Sequence, residues 1–147
     1  MKTVQKSVLI WYSCREMFDL VTDVARYPEF LPWCDQARVI EQTDDAMQAE
    51  VGIAFAGLHQ RFVTRNSHVP AREIHMTLVS GPFSKLEGQW RFLPVGGDDS
   101  QRACKVELDL RYGFSSVALA AVVGPVFDRI AGSLVDAFVK RAEQVYG

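Results

Sequence analysis

Cys104-Lys105-Val106-Glu107-Leu108-Asp109-Leu110-Arg111-Tyr112 alternates apolar or small with charged residues without a break. Successive side chains of a β-strand point to opposite faces, so this stretch predicts a strand with one buried and one solvated side. Leu86, Gly88, Trp90 and Phe92 alternate with Lys85, Glu87, Gln89 and Arg91 in the same way. Met47, Ala49, Val51, Ile53 and Phe55 alternate with mostly polar or small neighbours. Period two over residues 35–114 marks an antiparallel sheet that covers only one face. Turn signals at Asp44-Asp45, Gly57, Pro70, Gly81-Pro82 and Gly96-Gly97-Asp98-Asp99 divide it. With the β-branched and aromatic residues 4–12 as a first strand, the sheet has about seven strands.

Helices flank this block. Ser13-Cys14-Arg15-Glu16 has the spacing of a capping box, and Met17, Leu20, Val21 and Val24 follow at helical steps. That helix is predicted to end near Arg26, because Tyr27 precedes Pro28. Tyr27-Pro28-Glu29-Phe30-Leu31-Pro32-Trp33-Cys34 is too irregular for a long helix or a central strand and reads as a helical turn and loop. After a small-residue apolar run at 117–123, Gly124-Pro125 predicts a helix start or a kink. Val126, Phe127, Ile130, Leu134, Phe138, Ala142 and Val145 then form one stripe of a helix of about 20 residues. A wide sheet with one apolar face must cover it, and this helix is the longest cover available. The expected fold is α+β: a helix-grip domain spanning 1–147, its curved antiparallel sheet wrapped around the C-terminal helix and leaving an internal cavity.

Composition excludes several classes. The chain has 147 residues, 48% hydrophobic and 23% charged, against disorder or a disulfide-stapled miniprotein. A net charge of −2 supplies no global field for nucleic acid, and no DNA partner is expected. Cys14, Cys34 and Cys104 form no CxxC pair. The apolar stretch at 8–12 is too short for a signal-peptide core, and 117–123 is too short to span a bilayer. The expectation is a soluble cytoplasmic protein.

Chemistry is sparse. His59 and His75 fall on the predicted wet faces and His68 near the Pro70 turn; no HExxH, GxSxG or P-loop pattern occurs. No catalytic residue, metal or required cofactor is expected. The stronger signal is apolar surplus, which reads as core packing or as the lining of a ligand pocket. Phe30, Leu31 and Trp33 sit on a loop, Phe83 follows a turn, and Trp90, Phe92, Tyr112 and Phe114 face inward. Gln60 and Thr64 share a strand face with Phe62; with the Tyr112 hydroxyl they would orient a ligand, or be satisfied by water or backbone. Arg61 and Arg65 on the opposite face, with Arg72 just beyond, are a solvated surface or a contact for an anionic partner such as RNA.

Residues 23–34, Asp-Val-Ala-Arg-Tyr-Pro-Glu-Phe-Leu-Pro-Trp-Cys, resemble the signature of the START-like coenzyme-Q-binding family, within the polyketide cyclase/START superfamily. Residues 81–92, Tyr112-Gly113-Phe114-Ser115-Ser116 and residues 137–142 agree with it; the alanine- and valine-rich 117–123 departs from the bulkier pattern. The resemblance implies the helix-grip (Bet v 1-like) fold reached above and a hydrophobic tunnel. In mitochondrial relatives that tunnel binds ubiquinone and supports respiratory electron transfer. For bacterial members, the ribosome association toxins of the RatA type, it implies binding the large ribosomal subunit and blocking its association with the small one. Distant relatives are polyketide cyclases and aromatases. A polyprenyl quinone asks for a deep greasy cavity with one or two hydrogen-bond donors, which makes non-enzymatic quinone binding the leading expectation. Phe30, Leu31, Pro32 and Trp33 would form a flexible lid, and Phe62, Phe83, Trp90, Phe92, Tyr112, Phe127, Leu134 and Phe138 would line the cavity. Arg61, Arg65 and Arg72 are the candidate ribosome contacts. Transient contact with the inner membrane is compatible with such a ligand.

Overall fold

The chain runs β1 (Lys2–Ile10), α1 (Cys14–Thr22), a 3₁₀ turn (Val24–Glu29), β2 (Cys34–Gln42), β3 (Ala46–Phe55), β4 (Leu58–Val69), β5 (Glu73–Ser80), β6 (Phe83–Pro94), β7 (Cys104–Phe114) and α2 (Val117–Tyr146) in a computed structural model. The structure describes residues 1–55, 57–98 and 100–147, so Asp99 of the predicted 96–99 turn lies outside the described residues. The seven strands form one antiparallel sheet in the order β1-β7-β6-β5-β4-β3-β2. Register pairs inward residues across it: Leu86 with Tyr112, Trp90 with Leu108, Phe92 with Val106. All six are buried. Register shifts interrupt the β2–β3, β4–β5 and β6–β7 ladders, irregularities of the kind that bend a sheet. Phe55 departs from the inward reading: it ends β3 and is 37% exposed, with the Arg129 guanidinium over its ring.

The α1 start is the predicted capping box. Ser13 Oγ accepts from the Glu16 amide at 3.0 Å, and Glu16 Oε1 accepts from the Ser13 amide at 2.9 Å. Arg102 then clamps the same carboxylate with two 2.8 Å hydrogen bonds. This bidentate contact, with Ser13 assisting, outweighs burial and holds the Glu16 carboxyl down at about 2.

The C-terminal helix is longer than the sequence suggests. α2 is one 30-residue helix, about 45 Å long at 1.5 Å per residue, capped by Ser116 Oγ accepting from the Leu119 amide at 3.1 Å. Pro125 neither starts nor breaks it. Its ring lies on the exposed side, and the carbonyl it leaves without an amide belongs to exposed Ala121. Phe127, Ile130, Ala131, Val135, Phe138 and Ala142 are buried on the concave side of the sheet.

Candidate functional site

Between α2 and the sheet lies an apolar cavity of about 90 Å³. Its helix wall is Phe127, Ile130, Ala131, Leu134 and Phe138, and its sheet wall includes Phe62, Met76, Leu86, Trp90 and Leu110. Val24, Tyr27 and Trp33 close the end near the 3₁₀ turn. Gly88 makes room on the sheet floor: a Cβ there would sit 2.6 Å from Met76 Cε and 3.1 Å from Leu110 Cδ1. The cavity walls carry no carboxylate, histidine or lysine. Among the described residues, no group of three His, Cys, Asp or Glu is placed to hold a metal.

One corner is polar. Thr64 and Asn66, 5% and 7% exposed, project from β4 into the cavity. The Thr64 hydroxyl donates to Asn66 Oδ1 at 2.9 Å, which leaves the Asn66 amide hydrogens as donors on an otherwise greasy wall. Thr64 was legible from its position beside Phe62. Asn66, one step further along the same face, was not singled out, although strict alternation from Phe62 reaches it. Gln60, the other expected polar residue, lies outside the lining.

The predicted ligand residues divide. Trp33, Phe62, Trp90, Phe127, Leu134 and Phe138 line the cavity. Phe83 and Tyr112 do not: with Phe114 they pack on Phe127 (ring centroids at 4.9, 4.7 and 6.4 Å), an aromatic wall closing the end nearest the start of α2. The Tyr112 hydroxyl donates to Asp128, which also pairs with Lys2, so it is not a ligand donor. Burial and that bond push the Tyr112 phenol up. Phe92 lies beyond Trp90, edge-on to Phe18 of α1 at 5.8 Å.

The 30–33 loop is tied down rather than poised as a lid. Leu31 is 1% exposed; its amide donates to Tyr27 O at 2.9 Å and its carbonyl accepts from Cys34 N at 3.0 Å. Phe30 packs on Phe138 at 5.3 Å beneath the Arg141 guanidinium. Pro32 is exposed and faces an outer groove with Phe30 and Trp33. Only Trp33 of the four reaches the cavity, and its carbonyl accepts from Ala54 N at 2.8 Å. Arg61 and Arg65 are exposed on the outer face of β4. Arg72 does not join them: it is half-buried in the β4–β5 turn, donating to Ala71 O at 2.8 Å.

A long helix gripped by a curved sheet around a small apolar cavity agrees with a family-level match over residues 10–139, to the family described as polyketide cyclase/dehydrase and lipid transport. The chain belongs to that START-like family. It is 46% identical, over 98% of its own length and 97% of the relative's, to a Pseudomonas aeruginosa protein named ribosome association toxin RatA. It is 29% identical to a Xenopus laevis protein named coenzyme Q-binding protein COQ10 homolog B, mitochondrial, covering 97% of this chain and 58% of that one. Among solved structures, an 18 kDa protein of Caulobacter crescentus is 34% identical and superposes with a TM-score of 0.74, covering 100% of this chain and 99% of that one. The family's helix-grip architecture is thus the one read from alternation, stripe and signature.

Proposed function

We propose that this START-like chain binds, without catalysing a reaction on it, an apolar ligand with a small carbonyl-bearing head, of the isoprenoid quinone class. The observation that carries the reading is the cavity itself: aromatic and aliphatic walls with one polar corner, Thr64 and Asn66. An apolar chain gains from such walls, and an Asn66 N–H matches a quinone carbonyl oxygen. A cyclase would need an acid or base in contact with substrate, and the one titratable side chain of the lining, Tyr27, has its hydroxyl donating to the Val21 carbonyl. The coenzyme Q-binding name of the Xenopus laevis relative supports the same ligand class.

The cavity of about 90 Å³ is smaller than the roughly 150 Å³ that admits benzene. Loading therefore displaces lining side chains, and Trp33, Leu134 and Met76 are among those only half-buried. The test is solvent extraction of protein purified from a quinone-producing host, followed by mass spectrometry. A near-stoichiometric isoprenoid quinone is expected, and Trp33→Ala should weaken its binding more than it lowers thermal stability. An empty extract, repeated after incubation with added quinone, overturns the reading.

Ribosome association is the second reading, favoured by the name of relatives 40–46% identical over nearly the whole chain. The exposed Arg61 and Arg65 are the cationic contacts available to it on β4. Cosedimentation with large subunits that Arg61→Glu with Arg65→Glu abolishes would establish it; unchanged sedimentation would remove that surface.

A further inference from the structure

Sixteen consecutive residues, 112–127, carry no charge. They end β7 and form the first turns of α2, and much of that tip is bare. Val117 is 89% exposed and Val122 61%, with Ala118, Ala120 and Ala121 also exposed. Beside them runs a groove of about 310 Å³ whose walls include Met1, Tyr112, Phe114, Ala121, Gly124 and Pro125. Its inner side is the Tyr112–Phe114–Phe127 aromatic wall, and Phe127 is also a wall of the cavity. One layer of rings thus separates the bare tip from the ligand space.

We infer that this tip, the start of α2 with its groove, docks the protein on the surface of an anionic phospholipid bilayer. The chemistry of the patch selects that occupant. The exposed side chains of its helical part, residues 117–122, are valine and alanine alone, and the aromatic residues of its groove, Tyr112 and Phe114, are packed on Phe127 rather than projecting as the anchors that carry affinity at protein interfaces. A bilayer needs no shaped anchor, only apolar area that sinks to the headgroup boundary and cations beside it. Lys2, Lys85 and Arg111 lie within three residues of Phe114 by strand register, and Arg129 follows on α2. Against these four stand Glu87, Asp109 and Asp128, a slight positive excess at the rim of a chain whose net charge is −2.

The position of the tip adds a purpose. An apolar ligand is stored in bilayers, and the groove leads from the docked tip to the ring layer over the cavity. Pro125, two residues before Phe127, takes one hydrogen bond out of α2, so the segment ahead of it is the part freest to lean away from Phe114. This second step rests on the cavity reading; the docking does not.

Flotation with phosphatidylglycerol/phosphatidylcholine vesicles at low salt tests the docking. The wild-type chain should float with the vesicles, less so on phosphatidylcholine alone. Val117→Asp with Val122→Asp should lower partitioning at least tenfold while circular dichroism and melting stay unchanged. Absence of flotation in the wild type, or equal flotation of the double variant, overturns the proposal. So does a solution dimer, seen by light scattering, that the same variant converts to monomer, since the face would then belong to a second copy. Quinone loading of the double variant from detergent is read separately, so a failed cavity and a failed docking surface give different results.

Discussion

The two ends of α2 are built from similar apolar residues and meet different surroundings. From Phe127 onward a stripe of Phe127, Ile130, Ala131, Val135, Phe138 and Ala142 is buried, while Arg129, Asp136, Lys140 and Glu143 face out. From Val117 to Val122 there is no charged side at all, and only Leu119 is even half-buried. A helix apolar on one stripe has one home, the core; a helix apolar all round has core on one side and leaves the rest to find a partner. The first end is a keel and the second a free surface, and each variant below tests that division.

The largest effect is expected at the keel. Phe138 is 2% exposed and meets Trp90, Tyr27 and Phe30 at ring distances of 5.4, 5.6 and 5.3 Å. Phe138→Ala removes these contacts and enlarges the cavity, so it should cost about 3–5 kcal/mol in urea unfolding. A loss under about 1 kcal/mol would mean that α2 is not held by this stripe and that its two ends differ less than their burial implies.

A smaller effect sharpens the comparison through pH. The keel's far end is tied to α1 by the Tyr146 hydroxyl, which donates to the Glu16 carbonyl at 3.0 Å, while the Glu16 carboxylate holds Arg102. The carboxyl lies near 4.5 when unpaired and is held down at about 2 in the fold, first by Arg102. A lowered folded value means stabilisation that is complete above about pH 4.5 and lost as pH falls toward 2. Wild type and Glu16→Gln should therefore differ in stability at neutral pH and converge across that window. Parallel curves would show that the clamp contributes nothing at this end.

Why some of this was legible in the sequence and some was not follows from what period and spacing encode. Alternation at 104–112 placed β7 and its buried face because charge and apolarity exchange at every residue there. Ser13 and Glu16 announced α1 because the cap is a local hydrogen-bond exchange between residues three apart. Asn66 escapes a sequence reading because a polar residue on a buried face contradicts the pattern that finds the face, and its hydrogen bond to Thr64 exists only in the fold. The split of the aromatics between cavity and wall is tertiary: Phe83 and Phe62 have rings 5.7 Å apart, yet only Phe62 borders the cavity. Gly124-Pro125 reads locally as a helix start or a kink. The helix continues with Pro125 and Ala121, the residue whose carbonyl loses its amide partner, both on the exposed side, where the loss of one hydrogen bond costs least.

The smallest expected effect is at the bare tip. Val117→Asp replaces a side chain 89% exposed, so little apolar contact is lost on the folded side. A carboxylate in the first turn of α2 meets the unpaired amides of a helix N-terminus, which favours it slightly. The two terms oppose and both are small, so unfolding free energy should change by no more than about 0.5 kcal/mol. A tip that were half of a folded contact would instead lose stability in proportion to the area it covers. Near-neutral stability combined with lost vesicle flotation is the pairing that only a surface without an intramolecular partner produces, and it sets Val117 against Phe138 as residues of like chemistry with opposite roles in one helix.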